Sequence, residues 1–388
     1  MEASSHRDFT RDRLRVCLVT FAPWSGSTGL HVRARAVASD LGSLGTQVTV
    51  LSVGAPEAAC PMWSEVDGGL NVVPVRARTK ATLTPVLANR IRHLAHVIDL
   101  LIFESAMFAP AVACSRVHMP LIWDINELEA LHYARMRPTV QTRVMQTAWR
   151  VLEQWAAHLA TVAVAVSQEE ATWCQALYPL LQDRVAVVGH RPSVSPAAHD
   201  RDASVSPAPR IVFIGTMAAK HNRGAAHWLL HEFPIHLHRE VDVLLVGPGS
   251  EKVAVGRRGL VGFRGLGTVP DLGAVVAPTD IAVAPLRAGA GVKTKVLDYL
   301  ALGCRVVATP VALEGLPDPP GVVCATLEAM PSAITELLNK ADPPSARAER
   351  AELQRHWLAQ HASPDSTRAD WAAVLDQLRN RLPGWPSH

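Results

Sequence analysis

Between Asp280 and Pro310 the chain sets glycines, lysines and one carboxylate at spacings that suit anion and hydroxyl binding. The stretch reads as a strand (Ile281 to Ala284), a loop (Pro285 to Gly291), a helix starting near Val292, a stop at Gly303 and a further strand. Gly289 and Gly291 let the backbone come close to a ligand, and the first N–H groups of the following helix point at whatever fills the loop. An anion fits there. Lys293 and Lys295 reinforce that positive helix start. Asp298, three residues after Lys295, shares its face and can accept hydrogen bonds from paired hydroxyls such as those of a ribose. Phosphate and ribose together mean a nucleotide. Spacing alone leaves an equal alternative open, in which the glycines only turn the chain, the lysines are solvated and Asp298 merely pairs with Lys295.

Elements must hold those residues in place, and the pattern around them supplies alternating strands and helices. Leu14 to Phe21 is a short apolar run; it ends in the Gly/Ser turn of Pro23 to Gly29, after which Val32, Ala36 and Leu41 recur at helical spacing. Further strands are expected at Gln47 to Val53, Asp99 to Phe103, Pro120 to Trp123, Val162 to Val166 and Arg184 to Val188. A helix is expected from about Gln141 to Leu159, and another capped by Ser167 with Glu169 and Glu170 in its first turn. From His190 to Pro209 the composition turns to Pro, Ser, Ala and Asp without hydrophobic periodicity, as a connection between domains does. A second series begins at Arg210 to Ile214 and continues through Val241 to Val246, Leu260 to Phe263, Asp280 to Ala284 and Arg305 to Ala308. Alternation of this kind implies mainly parallel sheets with helices on both faces. The expected domains are a disordered tail (1–13), a Rossmann-like domain on the acceptor side (14–195), a linker (196–209), a donor-side Rossmann-like domain (210–364) and a final helix (365–388). On that helix Trp371, Val374, Leu375 and Leu378 share one face, which suits packing back onto the first domain.

Bulk properties narrow the function. A chain of 388 residues, 48% hydrophobic, fills two cores of ordinary size. With 19% charged residues and a formal net charge of +3, it carries no basic excess of the kind that neutralises a nucleic acid backbone. The six cysteines include no Cys-x-x-Cys pair and read as small core fillers in a reducing cytoplasm. The first fifteen residues lack the apolar stretch of a secretory signal, and no run approaches the ~20 apolar residues of a membrane span. There is no Gly-x-Gly-x-x-Gly after the first strand and no Walker-type loop. Asp200 and Asp202 have the spacing of a metal-binding pair but fall in the linker, and the histidines match no zinc spacing; no metal site is expected.

The run from Pro285 to Pro310, PLRAGAGVKTKVLDYLALGCRVVATP, resembles the donor-binding signature of glycosyltransferase family 4, the group 1 glycosyltransferases. Phe213 to Met217 with Asn222 is similar to the family's first carboxy-domain strand and loop, and Trp123 to Glu129 and Val166 to Glu170 to its amino-domain motifs. The resemblance implies an α/β fold of the GT-B type, two Rossmann-like domains whose mainly parallel sheets face each other across a cleft. It also implies a retaining, metal-independent transfer with no cofactor beyond a nucleotide diphosphate sugar, a GDP- or UDP-sugar by preference.

Position by position, the resemblance gives Asp298 the ribose hydroxyls. Ala290 stands eight places earlier, where many members carry a glutamate near the transferred sugar, and the backbone N–H groups of Gly291 and Val292, beside Thr294, are the substitute. Thr216 occupies the place of the diphosphate-binding arginine, and His221 or Asn222 that of the lysine; Lys295, aided by Arg223 or Lys220, is the replacement. Asn126 falls where many members present a histidine to the reacting sugar, beside Asp124, Glu127 and Glu129, though it could equally cap the helix that follows. Gly26, Ser27, Thr28 and Gly29 could donate N–H groups to phosphate or sugar, or simply form a turn. Phe263 and Arg264 resemble the segment lining the base, where an aromatic or guanidinium plane stacks. Lys295 and Asn126 are thus the expected catalytic pair.

The reaction expected is transfer to a small-molecule hydroxyl or thiol, as in specialised-metabolite biosynthesis, because neither a membrane anchor nor a strongly basic amphipathic face is evident in the sequence. A lipid-linked or cell-surface polysaccharide acceptor, a nucleotide-sugar epimerase and a non-catalytic nucleotide-sugar-binding protein are the alternatives. Ala290 counts against the epimerase, which needs its own acid and base. A homodimer is compatible with the chain; nucleic acid partners and a transmembrane anchor are not expected.

Overall fold

The computed structural model describes residues 13–21, 29–53, 71–75, 80–195, 210–236, 239–253, 255–382 and 385. The expected tail up to residue 12, the linker 196–209 and loop residues Gly26, Ser27 and Thr28 lie outside the described residues. Two compact units are present. One takes the described residues within Met1–Ala130, Arg143–Val188 and Thr367–His388, the other those within Leu131–Thr142 and Gly189–Ser366.

The first unit is built on seven parallel strands: β1 (Arg15–Thr20), β2 (Gln47–Val53), β3 (Asn71–Val75), β4 (Leu100–Phe103), β5 (Leu121–Ile125), β6 (Val162–Ala165) and β7 (Val185–Val187). Their order is β3-β2-β1-β4-β5-β6-β7, the doubly wound arrangement that turns about between β1 and β4. Strands β4, β5 and β6 are buried along their whole length, which is why they read as unbroken apolar runs. The helices are α1 (Gly29–Ser43), α2 (Lys80–Leu94), α3 (Ala109–Ser115), α4 (Glu129–Ala134), α5 (Val140–Leu159) and α6 (Gln168–Leu177), of which the residues from Leu131 to Thr142 fall in the second unit. On α1 the face turned to the core is Ala34, Val37, Ala38 and Leu41; Val32 and Ala36, expected there, are only half-buried. Ser167 caps α6 by accepting from the Glu170 N–H at 3.1 Å.

The second unit repeats the plan with β8 (Ile211–Ile214), β9 (Val241–Val246), β10 (Val255–Arg258), β11 (Val261–Gly265), β12 (Ile281–Ala284), β13 (Arg305–Ala308) and β14 (Val322–Cys324). The order is β10-β11-β9-β8-β12-β13-β14, parallel except for the antiparallel edge strand β10, and it turns about between β8 and β12. Its helices are α7 (Lys220–His231), α8 (Thr294–Ala301), α9 (Pro310–Leu313), α10 (Met330–Asn339) and α11 (Pro344–His361). The chain then returns to the first unit as α12 (Pro364–Arg381). There Trp371, Val374, Leu375 and Leu378 join a core with Val16, Leu18 and Ile102, and the Thr367 hydroxyl donates to Asp40 of α1 at 2.8 Å. Among the described residues no helix is long and apolar enough to cross a membrane.

Trp371 is completely buried. Trp371→Ala should cost about 3–5 kcal/mol of first-unit stability, seen as a lower urea midpoint in far-ultraviolet circular dichroism. An unchanged midpoint would mean that α12 adds nothing to that core.

Candidate functional site

In a doubly wound sheet, ligands bind outside the carboxyl ends of the strands where the winding reverses, because the two flanking loops part there. In the second unit these loops follow β8 and β12, and together with the helices they lead into, α7 and α8, they contain most of the residues singled out by sequence. Tyr299 of α8 fixes the point of divergence: its hydroxyl accepts from the Ile214 N–H at 2.9 Å and donates to the Val283 carbonyl at 3.1 Å. One turn earlier on the same helix, Lys295 sends its ammonium toward β8. There it donates to Asn222 Oδ1 and stands 4.5 Å from the centre of the Phe213 ring. Asn222 in turn donates through Nδ2 to the Thr216 carbonyl at 3.0 Å. Thr216, Asn222 and Lys295 therefore form one connected group. Gly215 makes room for it, since a Cβ at that position would lie 2.8 Å from the Asn222 side chain.

The loop after β12 is shaped by Lys293 and Gly291. Gly291 has φ of +65°, a conformation that favours glycine. Lys293 immediately precedes the helix and turns its ammonium back onto the carbonyls of Ala290 and Gly291, at 2.6 and 2.5 Å. The helix consequently starts at Thr294, two residues later than the spacing suggests. Thr309 supports the loop from beneath, donating to the Leu286 carbonyl at 2.8 Å. Both lysines are buried, 7% and 8% exposed, so neither is a solvated surface charge. Burial, with Lys293 nearby, pushes the Lys295 pKa down to about 7, while Asp298 opposes the shift. A cation desolvated in this way gains most when an anion arrives.

Asp298 does not pair directly with Lys295. Its Oδ1 accepts from the Ser193 N–H at 2.5 Å and from the Ser193 hydroxyl at 2.8 Å. Burial raises its pKa to about 6 in spite of those bonds. Three other expectations change. Phe263 points into the core at 6% exposure because β11 alternates its faces, so its ring has no free face for a base, whereas Arg264 is exposed. Arg223 donates to the Met217 and Ala218 carbonyls at 2.9 and 2.6 Å, closing the loop after β8. Ala290, between the two loop glycines, is buried, and Val292 is half-buried against the core. Sequence reasoning missed Ser193, and also Arg135, whose guanidinium donates to the Gly289 carbonyl at 3.1 Å and pairs with Glu314 at 2.7 Å. Neither carries a local signal, for their partners are 105 and 154 residues away.

In the first unit the winding reverses between β1 and β4, and Glu104 directly follows β4, its N–H donating to the Val19 carbonyl at 3.1 Å. Neither Glu104 carboxyl oxygen has a hydrogen-bond partner of good geometry. Asn126 stands next to it, donating through Nδ2 to the Glu104 carbonyl at 3.4 Å, and its Oδ1 accepts nothing. It therefore does not cap the helix that follows. Asp124, by contrast, is fully neutralised by Arg33, at 2.6 and 3.1 Å, and Arg33 also reaches the Val188 carbonyl. Burial and the Asp124 charge drive the Glu104 pKa up to about 8, with the Thr20 hydroxyl and Arg33 pulling the other way. Gly29, the described end of the first loop, opens α1.

Two units that each wind a mainly parallel sheet about its first strand, reversing between β1 and β4 and between β8 and β12, define the GT-B class of fold. Solved GT-B structures are similar along nearly the whole chain. Sucrose-phosphate synthase from Thermosynechococcus elongatus matches with a TM-score of 0.77 at 12% identity, covering 95% of this chain and 100% of its own. The α,α-trehalose 6-phosphate synthase of Burkholderia multivorans gives 0.66 at 12% identity, over 95% and 97%. Anabaena HepE in complex with UDP and glucose gives 0.65 at 14%, over 94% and 100%. Residues 208–340, which hold the lysine and glycine loop, match the family model described as Glycosyl transferases group 1. No curated protein matches the chain.

The raised Glu104 pKa carries a sign for stability. Folding holds on to a proton that the unfolded chain sheds above 4.5, so this contribution is complete below that pH and is lost as pH climbs toward about 8. Glu104→Gln removes the titration. Its melting temperature relative to the parent should rise by about 4 °C or more between about pH 5 and about pH 9. A difference that stays constant with pH would return Glu104 to an ordinary carboxylate.

Proposed function

We propose that the chain is a retaining, metal-independent glycosyltransferase that moves a sugar from a nucleotide diphosphate donor, a UDP- or GDP-sugar, to a small-molecule hydroxyl or thiol. One observation carries this reading: the Lys295 ammonium, desolvated at the reversal point of the second sheet beside a glycine loop. The group 1 match over the same residues and the UDP and glucose held by HepE support the donor class. Lys295, steadied by Asn222 and Thr216, takes the diphosphate together with the N–H groups of Gly291, Val292 and Thr294. Asp298 takes the ribose by exchanging its Ser193 contacts for hydroxyls, and Arg264 flanks the base.

As the bond from the anomeric carbon to phosphate breaks, charge grows on the leaving oxygen, and Lys295 stabilises it. The acceptor oxygen or sulfur bonds to the same face of that carbon. Its proton passes to the departing phosphate, so no enzyme nucleophile is needed. In the first unit Asn126, whose Oδ1 accepts no hydrogen bond, is the candidate for binding a hydroxyl donor. A second reading, a lipid-linked acceptor, is favoured by the apolar outer face of α5, where Val144 and Val151 are 60% and 52% exposed.

Donor binding is tested first by thermal shift with UDP and GDP in the presence of EDTA. The cognate nucleotide should raise the melting temperature, and product from the sugar nucleotide should retain the donor's anomeric configuration by NMR. Inversion, or dependence on a divalent ion, would overturn the corresponding part of the proposal.

Lys295→Met should lower kcat by roughly two to three powers of ten while the circular dichroism spectrum is kept. Near-normal turnover would remove Lys295 from the chemistry. Because the free ammonium titrates at about 7, a bound diphosphate must draw in a proton above that pH. Nucleotide Kd should then weaken by up to about tenfold per pH unit above about 7, and this slope should vanish in the Lys295→Met variant.

A further inference from the structure

Helix α5 has a second apolar face that the site does not use. Its inner face buries Trp149, Ala156 and Ala157. On the outer side Val144, Ala148, Val151 and Trp155 recur at i, i+4, i+7 and i+11, one stripe along the helix. Val144 is 60% exposed, Val151 52% and Trp155 49%. Single exposed apolar side chains need no explanation, but an aligned row ending in tryptophan marks a contact surface.

Charge shows what kind of surface it meets. Arg143 and Arg150, seven residues apart, lie exposed along one flank of the stripe. The only carboxylate on the helix, Glu153, is buried, accepting from the Tyr178 hydroxyl and, at 3.1 Å, from the Ala130 N–H. The outward side of α5 is therefore apolar and cationic with no anion. Antiparallel pairing with a second copy would bring each Arg143 near an Arg150, with no acid on the helix to separate them. An anionic lipid surface satisfies both parts at once: valines and the tryptophan enter the headgroup boundary while the guanidinium groups meet lipid phosphates.

We propose that this face of α5 docks the protein on an anionic bilayer surface without spanning it. The proposal is independent of the nucleotide site, since it concerns a face outside it, and it bears on the transferase reading only through the choice of a lipid-linked acceptor.

The test is co-sedimentation of the full chain with vesicles of phosphatidylcholine alone or mixed with phosphatidylglycerol, at low and high salt. Binding should be at least about tenfold stronger to the mixed vesicles and weaken with salt. The double variant Val144→Asp, Val151→Asp should lose about tenfold or more, and Arg143→Gln, Arg150→Gln should abolish the preference for anionic lipid. Both variants should keep the parent's melting temperature and nucleotide affinity, because these positions are exposed. Equal recovery with and without vesicles, or binding indifferent to the aspartates, would overturn the proposal. So would a dimer in light scattering that Val151→Asp disperses while vesicles capture nothing.

Discussion

A desolvated ammonium group at the parting of β8 and β12 is the constraint around which the second unit is arranged. Lys295 can be buried there only because several elements share the cost. Phe213 from β8 offers the face of its ring, Asn222 from α7 offers an amide oxygen, and Asp298 one turn along α8 offers a carboxylate at a distance. Tyr299 holds α8 against both diverging strands. These groups are not enough to keep the amine at its ordinary basicity, and the pKa near 7 measures what is missing. Burial of an ion costs several kcal/mol unless a counter-charge meets it.

Much of this was legible because the loop and helix are contiguous, and their residue types are restricted by close backbone approach and by the need for charge. The helix start was misplaced for a local reason. Lys293 satisfies the carbonyls of its own turn, a conformation that spacing does not distinguish from the first turn of a helix. Phe263 was misread because its strand alternates, so the exposed position belongs to its neighbour Arg264. Strands β3, β10 and β14 gave little signal: one contains a proline, one reads Val-Gly-Arg-Arg and one has three residues. Ser193 and Arg135 could not be found from sequence, because only the folded chain brings them to Asp298 and Gly289.

The outer face of α5 shows a different kind of illegibility. Its sequence has apolar residues on two sides, Trp149, Ala156 and Ala157 on one and Val144, Val151 and Trp155 on the other. Periodicity alone reads such a helix as largely buried. Only the sheet's position decides which side is covered. Arg143 and Arg150 are unremarkable as sequence and gain meaning from the exposed valines beside them.

The same topology yields opposite chemistry at the two reversal points. After β12 the fold buries two lysines, Lys293 and Lys295, whereas at the ends of β4 and β5 it buries two acids, Glu104 and Asp124. In the first unit the two acids are handled differently. Asp124 has Arg33 of α1 in bidentate contact. Glu104 has no such ion, and the nearby Asp124 charge makes ionisation harder still. Keeping a proton is then the cheaper course, and a neutral carboxyl beside the unpartnered Asn126 oxygen is tolerated where a carboxylate would not be. Parallel strand ends thus fix only where polar groups converge; whether the place favours an anion or a hydroxyl depends on which side chains are left without a partner.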